Sequence, residues 1–293
     1  MRSEYRIVRG SSVGRATARG ILPAVVGLCS LLLATHFVGA LSAAEPQADT
    51  SAQARQDSMR LIPFDKFSDE ARRKVLSVLD DPTLFRRMPP RVSQCDPDLH
   101  LCLVRNPELV AEMWKVMGAS AMTVDRTGAF TWNGNDSAGT QCKVELIYGT
   151  DKLHVIYGDG FYEGPLFRRK INGRTVLVLK SEYHQAEDGR SLVTNHLDVF
   201  LAIDNAGADL MAKTLHPIFG STADANFLET TRFITKVSDS AERNGAGMQR
   251  LADKLVGCQK PVREEFVENC TVASQRAANR LPPVPANRQA ARK

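Results

Sequence analysis

Past residue 44, this chain of 293 residues has no Cys-x-x-Cys, no closely spaced histidine pair, no His-Glu-x-x-His, no Gly-x-Ser-x-Gly and no glycine-rich phosphate loop. Those absences remove the usual signatures of a zinc site, a metalloprotease, an α/β-hydrolase and a nucleotide-binding enzyme. No cofactor is implied. Internal repeats and long linkers are also missing, so one domain is expected. Acid is absent from the last stretch, where Arg276, Arg280, Arg288, Arg292 and Lys293 stand without a single Asp or Glu.

What is present begins with a leader. Five arginines precede an apolar run from Ile21 to Leu41, and Ser42-Ala43-Ala44 supplies the small residues of a cleavage site. Residues 1–44 therefore read as a signal peptide cut after Ala44, which predicts an exported protein, periplasmic or extracellular. The alternative is retention as an N-terminal anchor, since the run can just cross a hydrocarbon core of about 30 Å. Membrane contact is expected only in that case.

Subtracting the leader changes the charge. It holds five of the 38 basic residues and one of the 33 acidic ones, which leaves 33 against 32. Setting aside the basic tail from Arg276 leaves 28 against 32 in residues 45–275. A mildly acidic body argues against nucleic acid as the partner. Residues 45–60 and 276–293 are poor in apolar side chains and are expected to be disordered. The folded domain is then 61–275.

Within it, helical spacing fills 61–118. Ser68 is placed to cap a helix through Ala71, Val75, Leu76, Val78 and Leu79, and Asn106-Pro107-Glu108 opens another with Leu109, Val110, Met113, Trp114 and Met117 on one stripe. From 121 to 203 the period becomes two, and Asn133-Gly134, Asp159-Gly160, Asn172-Gly173 and Asp188-Gly189 read as hairpin turns between about seven strands. In Gln141–Tyr148, Cys142, Val144 and Leu146 share one face. If the last two Asx-Gly pairs are two-residue loops, Phe167, Val178 and Val199 line one face, while Leu166, Leu179, Arg168, Leu177 and Phe200 line the other. Apolar residues on both faces require a cover on each side, such as a helix on one and a cavity, loop or partner on the other.

Helices over 205–257 can supply one cover. A short helix with Leu210, Met211 and Leu215 precedes Pro217. Ser221-Thr222-Ala223-Asp224 then opens a long one carrying Phe227, Thr231, Ile234, Val237 and Ala241, interrupted at Asn244-Gly245-Ala246-Gly247. The fold class is α+β: an antiparallel meander with N-terminal helices and a long C-terminal helix packed on the sheet. This order of elements resembles the helix-grip fold of the START and polyketide-cyclase-like families. The resemblance implies an apolar cavity between the curved sheet and the C-terminal helix, which would make Leu166, Arg168, Leu177, Leu179 and Phe200 ligand-facing.

Five cysteines remain after the leader. Cys142 falls on an apolar strand face and is expected as a buried, inert thiol. Cys95, Cys102, Cys258 and Cys270 flank the sheet, and export predicts disulfides. The local pairs Cys95–Cys102 and Cys258–Cys270 are the first choice, and inter-flank pairing is the alternative. The first pair needs Asp96-Pro97 to turn the chain, because residues seven apart on one helix lie about 10 Å apart.

Catalytic signals are thin. His196 and Asp198 lie two apart on one strand, and Ser181 is expected opposite His196. An i, i+2 strand pair sits about 7 Å apart, and a flat ladder offers no oxyanion hole. His154 and His184 are expected on the surface. Three readings follow: an exported binding protein for an apolar or lipid-like molecule; an envelope interaction or structural protein docking through an apolar sheet face; and a hydrolase or cyclase at His196/Asp198.

Overall fold

A computed structural model describes residues 47–165, 170–204 and 216–280, and within these the side chains of 216–222 lie outside the description. The sheet is built from β1 (Leu84–Arg87), β2 (Arg91–Gln94), β3 (Thr123–Gly128), β4 (Thr131–Asn135), β5 (Thr140–Gly149), β6 (Leu153–Tyr162), β7 (Ile171–Gln185) and β8 (Ser191–Ile203). Every pairing is antiparallel in the order β1-β8-β7-β6-β5-β4-β3, with β2 also on β8. The predicted meander is present with six strands over 123–203. The other two come from the flank read as purely helical. β1 and β2 are one edge strand split at Met88-Pro89-Pro90, where proline cannot donate to the ladder.

Helices form α1 (Ala52–Leu61), α2 (Asp69–Leu79), α3 (Pro97–Arg105), α4 (Pro107–Val116), α5 (His216–Arg243), α6 (Gly245–Lys254) and α7 (Lys260–Ala278). Ser68 caps α2 by accepting from the Ala71 amide at 3.2 Å, and Pro107 opens α4 at its first turn. α1 replaces the disorder expected over 45–60. Its apolar content is low because only one narrow side, with Ala54 and Ser58, is buried. Ser51 caps it, and Arg87 donates to the Ala54 carbonyl at 3.1 Å. α5 starts at His216, upstream of the capping box expected at Ser221. Asp224 instead holds Arg86 of β1. The short helix expected around Leu210, Met211 and Leu215 falls outside the described residues.

α5 stops at Asn244, which leaves helical geometry at φ −147° and ψ 63°. Its side chain then accepts from the Gly247 amide at 2.9 Å, so the glycine-rich break becomes the capped start of α6. α7 carries the fold past the expected end of order. Arg276 bridges Asp96 and Asp98 at the start of α3, and Arg280 forms a bidentate pair with Glu242, each contact at 2.8 Å. Those acids lie far away in sequence, which is why Arg276 and Arg280 looked like part of a solvated tail.

The apolar parts of both sheet faces are covered, as burial of their side chains requires. The concave side meets α3 to α7, where Leu177, Leu179, Val199 and Leu201 pack with Phe227, Ile234, Val237 and Ala241. The opposite side meets α1 and α2, where Val155, Tyr157, Val176, Val178, Phe200 and Ala202 pack with Ala54, Val75, Val78 and Leu79. The second apolar face is thus buried by the chain's own N-terminal helices.

The strand register differs from the expected one. Only Asp188-Gly189 forms a turn, and its loop is five residues long, with Gln185 opposite Ser191 and Gly189 at φ +79°. The extra residues shift the ladder by one, so Val178 faces Asp198, Leu177 faces Val199, and Phe200 faces Val176. A one-residue shift moves side chains to the other face. Phe200 therefore joins the α2 side instead of sharing a wall with Leu177 and Leu179.

The other three Asx-Gly dipeptides lie inside strands. Asn133-Gly134 is in β4, Asp159-Gly160 in β6 and Asn172-Gly173 in β7. Gly134, Cys142, Gly160 and Gly173 form one cross-strand row on the concave face. A Cβ on Gly160 would lie 2.4 Å from the Gln141 carbonyl oxygen, so strands approach there more closely than a side chain permits. Glycine at this point allows the sheet to bend around the helices.

Candidate functional site

The apolar opening lies on the outer flank of α5, between α4 and α6. Met113 and Trp114 reach it from α4, Met117 and Ala119 from the turn after it, Phe233 and Val237 from α5, and Met248 and Leu251 from α6. Phe233 and Val237 are four apart and so share a helix face. The Trp114 and Phe233 rings pack tilted, 5.2 Å between centroids. The Asn244 break lets α6 double back as the third wall. The opening holds about 340 Å³, within the range of small-molecule sites.

Its floor is buried, whereas Met117 at the mouth is 56% exposed. Three methionines make a wall that can reshape around different apolar ligands. The rim is polar, with Glu229, Arg232 and Lys236 one turn apart on α5. Arg232 pairs with Glu229 at 2.5 Å. Such a site suits an apolar body with a polar, preferably anionic, end.

The residues expected to face a ligand do not form one wall. Leu177 and Leu179 are buried on the concave face, Phe200 packs on Phe85 on the other side at 4.9 Å between ring centroids, and Leu166 and Arg168 fall outside the described residues. The Ser/His/Asp trio is also dispersed. Ser181 faces Asn195 rather than His196, and donates to its Oδ1 at 2.7 Å on the concave side. His196 lies on the opposite face near Glu182 at 3.9 Å, and Asp198 is held by Arg87 through two contacts of 2.9 Å. No nucleophile meets a base there.

A buried polar cluster surrounds Ser181 instead. His100 of α3 lies 3.2 Å from the Tyr183 hydroxyl, which donates to the Asp151 carbonyl at 3.0 Å. His154, expected on the surface, is fully buried, and neither ring nitrogen has a hydrogen-bond partner among the described residues. Burial pushes both imidazoles down to about 4, helped for His100 by neighbouring His154 and for His154 by Arg105. Burial likewise raises the Tyr183 phenol to about 12. These are neutral groups at neutral pH. With no carboxylate among the described residues orienting a histidine toward Ser181, they supply polarity to the interior rather than a hydrolytic relay.

The cysteines correct the disulfide expectation. Cys95, Cys102, Cys142, Cys258 and Cys270 are all buried free thiols. Cys102 stands six residues beyond the Asp96 cap of α3, and Cys270 eleven residues into α7. At 1.5 Å per residue these offsets are about 9 and 16 Å, too long for either local bridge. Desolvation raises the thiol of Cys95 and of Cys102, and lifts Cys258 and Cys270 to about 12, which makes them unreactive. Sequence spacing could not reveal this, because it did not show that α7 would be a helix.

Sequence reading placed Met113, Trp114 and Met117 on one stripe, of which Met113 and Trp114 are buried and Met117 is exposed. The signal for a groove was the stripe's continuation past the helix end, where Gly118 at φ +67° stops α4 and leaves Met117 uncovered.

No protein-family model matches the chain, and no curated protein matches it. Among solved structures, the chain is similar to Ara h 8.0201 at 12% identity and a TM-score of 0.31, over 52% of this chain and 99% of that one. It is also similar to the Mll3558 protein from Rhizobium loti at 12% identity and a TM-score of 0.26, over 49% of this chain and 98% of that one. Likeness at this depth carries no argument about activity. Among the described residues, no helix is long and apolar enough to cross a membrane.

Proposed function

We propose that this chain is an exported, non-enzymatic binding protein of helix-grip type whose ligand is an apolar, lipid-like molecule with an anionic end. The observation that carries the reading is the groove of about 340 Å³ walled by Met113, Trp114, Met117, Phe233, Met248 and Leu251, with Arg232 and Lys236 at its rim. The site lies beside the C-terminal helix rather than between that helix and the sheet. Export rests on the leader, and the helix-grip assignment on the order of elements together with a sheet that packs its concave face on α5. The dispersal of Ser181, His196 and Asp198 supports a role without catalysis. Docking through an open apolar sheet face loses its motive, since α1 and α2 cover that face.

The test is native mass spectrometry of the exported protein with extraction of bound lipid, followed by titration with anilinonaphthalene sulfonate and competition by a medium-chain fatty acid. Saturable binding weakened about tenfold or more by M117D or L251E is expected, the equivalent of at least about 1.4 kcal/mol. No co-purifying lipid and no saturable probe binding would overturn the reading. N-terminal sequencing checks the leader, with Glu45 as the expected first residue.

A further inference from the structure

The three Asx-Gly dipeptides that lie inside strands have a shared consequence. With their glycines on the concave side, Asn133, Asp159 and Asn172 point to the opposite face. Cross-strand pairing joins them into two rows. Asp125, Asn133, Lys143, Asp159 and Arg174 follow one another across β3 to β7, and beside them run Thr123, Asn135, Gln141, Phe161 and Asn172. α1 and α2 stop short of this half of the sheet. All of these residues except Arg174 line an open depression of about 650 Å³.

Three properties separate this surface from an ordinary wet sheet face. Asn and Asp are among the poorest strand formers, yet they occupy five of these ten positions, where Thr, Val or Tyr would favour the strand. Residues placed against local preference mark functional sites more often than structural ones. Secondly, the side chains are not spent on one another. Asp125, Asn133, Gln141, Lys143, Asp159 and Asn172 are all exposed, and none makes a side-chain hydrogen bond or ion pair among the described residues. Lys143 and Asp159 are direct cross-strand neighbours and still form no ion pair. Thirdly, the chemistry is mixed and close to neutral. Arg174 is held by Asp204 at 2.9 Å, which leaves two carboxylates, the ammoniums of Lys143 and Lys170, and several amides.

We propose that this platform binds a neutral oligosaccharide. Hydroxyl groups both donate and accept, and carboxylates and amides match them in pairs. The Lys170 ammonium takes one face of the Phe161 ring, 3.4 Å from its centroid, so recognition rests mainly on hydrogen bonds. Four strand spacings of 4.7–4.9 Å make the platform roughly 19 Å wide, enough for several sugar units. A polyanion is disfavoured by Asp125 and Asp159. A cation site is not built either, since no three His, Cys, Asp or Glu among the described residues converge. The platform and the apolar groove are separate surfaces.

The full chain should be titrated calorimetrically with hexasaccharides of glucose, N-acetylglucosamine, mannose and xylose, alongside N133A, D159A and the double variant. At least one glycan should bind, each single change should weaken it about tenfold, and the double variant should abolish it, with unchanged circular dichroism and unchanged probe binding in the groove. Absence of binding to all four glycans overturns the proposal, as does binding that survives the double variant. Sedimentation showing a dimer that N133R dissociates would also overturn it, by assigning the face to a second copy of the chain.

Discussion

The two halves of the outer sheet face share β6 and β7 and the same alternation, but they carry opposite chemistry. Along β6, Val155 and Tyr157 give way to Asp159 and Phe161; along β7, Val178 and Val176 give way to Arg174 and Asn172. The change falls where α2 ends its coverage. Lys74 of α2 reaches Glu145 at 2.8 Å, and Arg174 donates to the Ser77 carbonyl at 3.3 Å, so charged contacts edge the dry half. The covered half is made of strand formers chosen for packing, and the open half of residues that weaken a strand. The difference teaches that alternation identifies a face, but not what lies over it.

The contrast is broken most strongly from the dry half. Phe200→Ala, at a fully buried position between Phe85 and α2, should cost about 3–5 kcal/mol. Urea unfolding should show this as a lower midpoint with an unchanged slope. A loss of comparable size is expected on acidification, and it arises in the other covered layer, on the concave face. His100 and His154 have native values of about 4, below the ordinary 6.5. Between those values the unfolded chain binds the protons, so stability should fall as pH drops from 6.5 to about 4, by about 3 kcal/mol per histidine at most. Above pH 6.5 the two contribute no slope. Unfolding midpoints measured across that interval should show the decline, and His154→Leu should remove about half of it.

Gly160→Ala, at the bend beneath the open half, forces a Cβ against the Gln141 carbonyl and should cost about 1–3 kcal/mol. The smallest effect sharpens the comparison most. Asn133→Val on the open half should leave stability unchanged or raise it by a few tenths of a kcal/mol, while removing the glycan binding inferred above. Thermal melts paired with calorimetry would read both. A clear destabilisation would mean that Asn133 serves the strand rather than a ligand.

Much of the fold was legible along the chain. Ser68 and Asn106-Pro107 marked helix starts because capping and proline geometry are local. Alternation in Gln141–Tyr148 identified a face because strand period is local too. The groove was half legible: its Met113, Trp114 and Met117 stripe could be read, but not its walls from α5 and α6. The Ser181–His196 pairing failed because one unforeseen loop length reset the register. His154 seemed a surface residue because nothing near it in sequence reports what packs above.

By itself, then, the sequence determined the strand period of the meander, several helix starts, the near balance of charge over residues 45–293, and the need to cover both sheet faces. All of these follow from residue composition and spacing. Only the tertiary structure decided that α1 and α2 provide the second cover, that five cysteines stay unpaired, and that three turn-like dipeptides line up across a sheet. Such outcomes depend on contacts between residues far apart in the chain, where packing outweighs the local preference of any dipeptide.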